Sequence, residues 1–289
     1  FKERFKKNPS ALLGARVYAN TVPNFAAQWI ARRWKVKGPA KCYVAACATG
    51  TVAVIEGARM VQEGVVDYCI AGAADASITP LMLAGYKAMK VLAGETMRPF
   101  DQNRDGFLVG EGSGILLLEN RECAVARGAA ILGEISGWEY GFDAHHPVRF
   151  DTDEHALEKT LRRYLLKSGM NANDVDYINL HGTATKEGDL YETREIKRAF
   201  GSDAYHIPMS SIKGMTGHML GAAGAVEIIA CLLAMQDGFV PPTAGLQKAD
   251  PECDLDYTAL TGKSKVIRQC LSLSMGFGGH IAVIGLRRS

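Results

Sequence analysis

The chain has 289 residues, 47% hydrophobic and 22% charged, with 33 Lys plus Arg against 31 Asp plus Glu for a formal net charge of +2. That composition suits a globular protein with a sizeable core, as one large domain or two modest ones, and gives no global reason to expect a nucleic-acid or membrane partner. No apolar stretch reads as long enough to span a bilayer, and no charged-then-apolar segment opens the chain as a signal peptide would.

Two basic clusters come first, Lys2–Lys7 and Arg32–Lys37, and each reads most simply as solvated surface. Short apolar runs then alternate with amphipathic stretches, the pattern of an α/β protein. Strands are expected at Lys41–Ala46, Val66–Ala74 and Gly114–Glu119. Five more are expected at Ala130–Trp138, Val175–Leu180, His206–Ser211, Gln269–Met275 and Ile281–Leu286. Residues 48–64 read as a helix with Val54, Gly57, Ala58 and Val61 on one face, Glu56, Arg59 and Glu63 on the other, and Gly64 as its stop. Glu154–Ser168 is a second helix, with Leu157, Leu161, Tyr164 and Leu165 at helical spacing before Gly169. Gly221–Gln236, rich in small residues, is a third. The charged turn "ENRECAVARG" places a boundary near Asn120 and divides the chain into 1–120 and 121–289.

Seven cysteines lie scattered without a CxxC pair, which argues against a zinc site or disulfide scaffold and for a reducing, cytoplasmic compartment. Six read as structural. Cys47 differs, because it sits where a strand is expected to turn into a helix N-terminus. Unpaired N–H groups and the helix dipole there would lower its pKa and favour thiolate. Ala45, Ala46, Ala48 and Gly50 would leave room around the sulfur. "INLHGTAT" delivers His181 at the end of an apolar strand, and "SSIKGMTGHMLGAAGAVE" delivers Lys213 and His218 before a small-residue helix. Ligands of open α/β sheets bind beyond the carboxyl ends of strands, where all three elements fall. His145 and His146 read as loop residues. "GEGSG" at Gly110–Gly114 leads into a strand rather than a helix, which excludes a dinucleotide fingerprint.

The set "ACATG", "RPFDQNRDGFLVGEGSGILLLE", "HGTAT", "SIKGMTGHMLGAAGAVE" and "MGFGGH" resembles the β-ketoacyl synthases of the thiolase superfamily, most closely the elongating acyl-carrier-protein type. The resemblance runs over nearly the whole chain. It implies a duplicated α/β/α/β/α layered thiolase-like fold whose first half is incomplete here: three strands are expected before Asn120 where the family has five. The chain is therefore expected to be the larger part of a longer protein or to need a second chain to complete that sheet.

By the same resemblance, Cys47 takes an acyl group as a thioester, and His181 and His218 donate hydrogen bonds to a malonyl thioester that loses CO₂ and attacks the acyl group. Lys213 and Glu227 tune charge and orientation around His218 rather than transferring protons, and the N–H groups of Cys47 and Phe277 form the oxyanion hole. Thr183 and Thr185 hold the pantetheine arm, Phe277 gates the site, and Tyr86 lines the acyl pocket. The resemblance implies an acyl-carrier-protein partner and a homodimer; no cofactor or metal is expected. Ile281, where the family usually has asparagine, and Lys186-Glu187 depart from the family pattern. A ketosynthase of a type II polyketide or unusual-lipid pathway is an alternative, as is a non-catalytic carrier-binding subunit. A degradative thiolase is disfavoured, since "MGFGG" offers no second cysteine.

Overall fold

A computed structural model describes residues 22–289. The cluster Lys2–Lys7 lies outside them. Two units are distinguished, divided after Val44. The described part of the first holds helix α1 (Phe25–Trp34), which ends as Lys35 turns left-handed and donates its N–H to Ala31 O. Arg32 and Arg33 occupy its last turn, where cations complement the helix dipole, and the Arg33 guanidinium stacks 5.3 Å from the Trp34 ring.

The second unit, Ala45–Ser289, contains two sheets that carry its architecture. Strands β1 (Tyr68–Asp75) and β2 (Gly112–Glu119) pair antiparallel, Tyr68 opposite Glu119 and Asp75 opposite Gly112. The larger sheet has the order β3-β9-β8-β4-β5, from β3 (Glu134–Phe142), β4 (Tyr177–Asn179), β5 (Met209–Ser210), β8 (Gln269–Gly276) and β9 (His280–Arg287). It is mixed: β4 runs parallel to β5 and β8, while β9 is antiparallel to β8 and β3. The five strands expected in the second half are thus these five. A further short pair, β6 (Phe239–Val240) and β7 (Lys263–Ser264), was not legible beforehand.

Helix α2 (Thr49–Gln62) and helix α8 (Ala223–Asp237) lie between the two sheets, α2 touching β1, β2 and β9 and α8 touching β2 and β8. On the far face of the larger sheet pack α5 (Ala156–Ser168) and α6 (Lys186–Phe200). The period-2 geometry of a strand sends alternate side chains to opposite faces. In β9, Ile281 and Val283 accordingly join the core under α5 and α6, while Ala282, Ile284 and Leu286 join the core under α2 and α8. Gly169 ends α5 as expected, in the left-handed conformation at φ 67°. Three shorter helices, α3 (Pro80–Ala88), α4 (Arg121–Ala126) and α7 (Lys213–Thr216), lie in the connections.

Three expectations fail here. Lys41–Ala46 is not a strand; residues 41–45 are irregular, because among the described residues no strand runs beside them to take up their backbone groups. Gly50 does not make room at the sulfur: a Cβ there would stand 2.6 Å from Ala225 N, so its missing side chain lets α2 close on α8. Finally, one segment, Leu220–Asp237, is long and apolar enough to cross a membrane by length and composition. Most of it is buried against β2, α2 and β8, which makes it a core helix.

Candidate active site

Cys47 lies in a single 3₁₀ turn, Ala46–Ala48, that runs directly into α2. The turn packs against the end of β8, where a Cβ on Gly276 would stand 2.6 Å from Ala45 O and 3.1 Å from Cys47 N. Only glycine permits that approach. It brings the Phe277 N–H onto the Cys47 sulfur as a hydrogen-bond donor. On the other side, His218 Nε2 stands 3.2 Å from Sγ. The remaining surroundings are apolar: Met97, Phe107, Ala184 and Leu220 are buried with Cys47, and Tyr86, Val91, Leu92 and Val109 pack on them half-buried.

This environment corrects the expected thiolate. Burial pushes the Cys47 thiol up to about 11, and the Lys213 ammonium and the Phe277 N–H offset that only in part. The helix N-terminus is where the sequence placed it, but the sulfur is enclosed, and desolvation outweighs the dipole.

His218 is fixed through its backbone. Its N–H donates to Leu108 O at 2.7 Å and its carbonyl accepts from Gly110 N–H at 2.9 Å. The segment following "RPFDQNRDGF" therefore forms the seat of the histidine. Gly110 is required there, since a Cβ would stand 2.5 Å from Thr216 O. The Phe107 ring meets the imidazole edge-on at 5.0 Å between centroids, and the His181 ring does the same at 5.6 Å. Burial, then the Lys213 charge, hold both histidines well below the ordinary range, so both are neutral at pH 7.

Beneath the pair, Lys213 Nζ donates to His181 O at 2.5 Å and to Glu227 Oε1, and both side chains are at most 2% exposed. Burial pushes the Glu227 carboxyl up, against the pull of Lys213. The turn carrying His181 is held by two carboxyls of α6. Glu192 accepts from the N–H groups of His181 and Gly182 at 2.7 and 2.8 Å; Asp189 accepts from Phe100 and Ala184 at 2.7 and 3.0 Å. Burial pushes Glu192 up to about 8 and Asp189 up to about 7. Arg104, itself buried, donates to the carbonyls of Thr185 and Lys186 and to Asp250, tying down the far end of the turn. Thr183 and Thr185 place their hydroxyls 3.1 Å apart.

The structure thus brings Cys47, His218, His181, Lys213, Glu227 and the Phe277 N–H together, with Tyr86 packed edge-on against Phe107. His145 and His146 fall in the loop after β3, as expected. Ile281 is buried in the main core, and Lys186-Glu187 open α6. Among the described residues, His155, Glu158 and Glu195 are spaced to hold a cation, but Arg162 already engages Glu158 and Arg198 engages Glu195. Glu192, Asp189 and Arg104 were missed. The available signal was acids at the positions of α6 where helical spacing faces the core, beside Ile196 and Ala199.

The β1–β2 sheet, the helix pair and the mixed sheet form a thiolase-like α/β fold, with the cysteine and both histidines meeting at strand ends. Comparison with known proteins gives the family. The "Beta-ketoacyl synthase, N-terminal domain" family matches residues 3–124 and the "Beta-ketoacyl synthase, C-terminal domain" family residues 132–247. Nodulation protein E of Rhizobium meliloti is 38% identical over 97% of this chain and 70% of its own length. The chain belongs to the β-ketoacyl synthase family. It is also 42% identical to 3-oxoacyl-[acyl-carrier-protein] synthase 2 of Synechocystis sp., over 92% of this chain and 66% of that protein. To the actinorhodin polyketide putative beta-ketoacyl synthase 1 of Streptomyces coelicolor it is 39% identical, over 96% and 61%. It therefore spans about two thirds of the length of these relatives. Among solved structures, a type II polyketide ketosynthase in complex with its acyl-carrier protein superposes with a TM-score of 0.93 at 34% identity, over 96% of this chain and 70% of that one. A β-ketoacyl synthase from Burkholderia phymatum gives 0.91 at 29% identity, over 99% and 71%.

Proposed function

We propose that this protein is a β-ketoacyl-acyl-carrier-protein synthase that joins a Cys47-bound acyl group to a malonyl unit by decarboxylative Claisen condensation in fatty-acid elongation. The observation that carries the reading is the contact of Cys47 Sγ with His218 Nε2 at 3.2 Å, with the His181 ring stacked edge-on behind it. A neutral imidazole beside a neutral thiol can accept its proton as sulfur attacks a carrier thioester, and return it to the departing pantetheine thiol. The apolar cluster around Cys47 suits the acyl chain, with Tyr86 on its wall.

In the second half-reaction the C–C bond to the malonyl carboxylate breaks and its electrons pass into an enolate as CO₂ leaves. His181 and His218, held neutral, can each donate an N–H to the enolate oxygen, where preorganised donors act most strongly. The enolate carbon then attacks the acyl carbonyl, the C–S bond breaks, and the departing Cys47 thiolate takes up a proton from solvent to restore the thiol. The N–H groups of Cys47 and Phe277 would receive the oxyanion, and the Phe277 side chain, beside Gly278 and Gly279, would gate the entrance. Thr183 and Thr185 would bond the pantetheine arm; Lys213 and Glu227 orient His181 without transferring protons. The carrier protein is the partner, two copies of the chain form the assembly, and seven unpaired thiols support a reducing, cytoplasmic setting.

The similarity to the Streptomyces coelicolor polyketide relative and to the polyketide ketosynthase structure supports a second reading, the same chemistry on a polyketide chain. The test supplies acyl-carrier-protein thioesters of both kinds together with malonyl-carrier protein and measures CO₂ and β-ketoacyl product. A β-ketoacyl product from either donor supports the chemistry and the preferred donor names the pathway. Binding of carrier protein with no CO₂ and no product would make this a non-catalytic carrier-binding chain.

A further inference from the structure

Ala46, immediately before the nucleophile, lies in the left-handed region at φ 47°. A residue with a Cβ persists there only where its surroundings enforce it. One side chain bonds both ends of the turn. Thr49 Oγ1 accepts from Ala45 N–H at 2.9 Å and donates to Ala46 O at 2.7 Å, so the two ends of the Ala45-Ala46 pair are tied to a single hydroxyl that spans the left-handed residue. Thr49 N–H bonds the same Ala46 carbonyl, and Ala48 N–H closes on Ala45 O at 3.0 Å.

Ordinary helix capping does not account for this hydroxyl. The N-cap of α2 is Ala48, which makes no side-chain capping bond, and Thr49 spends its donor and its acceptor upstream, on residues 45 and 46. If Ala46 relaxed to a negative φ, the peptide between Ala46 and Cys47 would rotate and carry the cysteine Cα–Cβ bond with it. Sγ would then leave both His218 Nε2 and the Phe277 N–H.

We propose that Thr49 is a positioning residue, whose hydroxyl clamps the strained Ala46 turn and so holds the Cys47 sulfur on His218 and on the Phe277 amide. The inference rests on the reading of Cys47 as nucleophile, but its test does not require acyl transfer. Iodoacetamide alkylation of Cys47 is followed by peptide mass from about pH 7 to pH 10 in the purified protein, with thermal melting as the folding control. Thr49→Val keeps the shape and removes both bonds. It should slow alkylation by about tenfold or more across that range, since small misplacements of a reacting group carry costs of that size. Thr49→Ser should retain the wild-type rate.

Adding Ala46→Gly to Thr49→Val should restore much of the rate, because glycine holds a positive φ without a clamp. Should Thr49→Val not fold, Thr49→Ala with and without Ala46→Gly gives the same comparison. Alkylation unchanged in Thr49→Val, or slowed equally in Thr49→Ser, overturns the clamp. Failure of acyl transfer alongside the expected alkylation pattern overturns the condensing function instead and leaves the clamp standing.

Discussion

Lys213→Met removes the ammonium that Glu227 and the His181 carbonyl share. Both partners of the ion pair are at most 2% exposed, so no water can take over. An uncompensated buried charge of this kind costs about 3–5 kcal/mol. At about 2–4 °C per kcal/mol for a large domain, that is a melting temperature lower by about 6–20 °C. Part of the cost is avoidable, because Glu227 can bind a proton, and burial already pushes its carboxyl up. The deficit of Lys213→Met should therefore shrink as pH falls.

Replacing both partners, Lys213→Met with Glu227→Leu, leaves no charge to strand and should recover most of the loss, since apolar pairs of similar volume often equal buried ion pairs in stability. The assay is a double-mutant cycle by urea denaturation and thermal melting. A single variant that loses less than about 1 kcal/mol, or a double variant as unstable as the sum of the singles, would refute the reasoning. Activity should not return in the double variant, because the His181 carbonyl still lacks its donor.

The pH dependence of stability follows from Glu192 and Asp189, both raised by burial above their unfolded values. The unfolded chain loses these protons near about pH 4 and the folded chain keeps them to about pH 7 and 8, so the two groups lower stability across that range. Above about pH 6.5 the neutral histidines no longer add an opposite slope, and stability should fall by about 2 kcal/mol up to about pH 8. Glu192→Gln should flatten the urea midpoint over that interval; a wild-type midpoint that rises there contradicts the sign. His181→Ala and His218→Ala should each suppress malonyl decarboxylation by about 100-fold, the equivalent of about 3 kcal/mol, while His181→Ala spares acyl transfer to Cys47. Decarboxylation that survives both changes removes the enolate-stabilising role. Charge reversal of Arg32 and Arg33, exposed at the end of α1, should raise KM for carrier-bound substrates and weaken its salt dependence; an unchanged KM returns them to plain solvated surface.

Much of this was legible in the sequence, for physical reasons that differ from element to element. Helix α5 announced both its apolar stripe and its glycine stop, because local periodicity determined them, and β9 was legible as a short apolar run. Cys47, His181 and His218 were found through their motifs, yet the charge state of Cys47 was not. The local signal was a helix N-terminus, whereas the deciding term is enclosure by Met97, Phe107 and Leu220, which come from remote segments. Lys41–Ala46 shows the reverse case: its β-rich composition is real, but a strand exists only where a neighbour supplies the ladder. Gly50 was read as access and serves helix packing, since nothing local reveals that Ala225 lies against it. Glu192 and Asp189 escaped because acids on a helix are ordinarily solvent-facing, and only the fold turns these two inward onto the amides of His181, Gly182 and Ala184.

In the proposed reaction everything depends on Cys47 carrying the acyl group. Incubation with acyl-carrier-protein thioester, followed by intact-mass and peptide-mass analysis, reads it directly. One acyl adduct per chain is expected, mapped to the peptide containing Cys47 and absent from Cys47→Ala. An adduct on Cys69 or Cys231, or one that persists in Cys47→Ala, would contradict it.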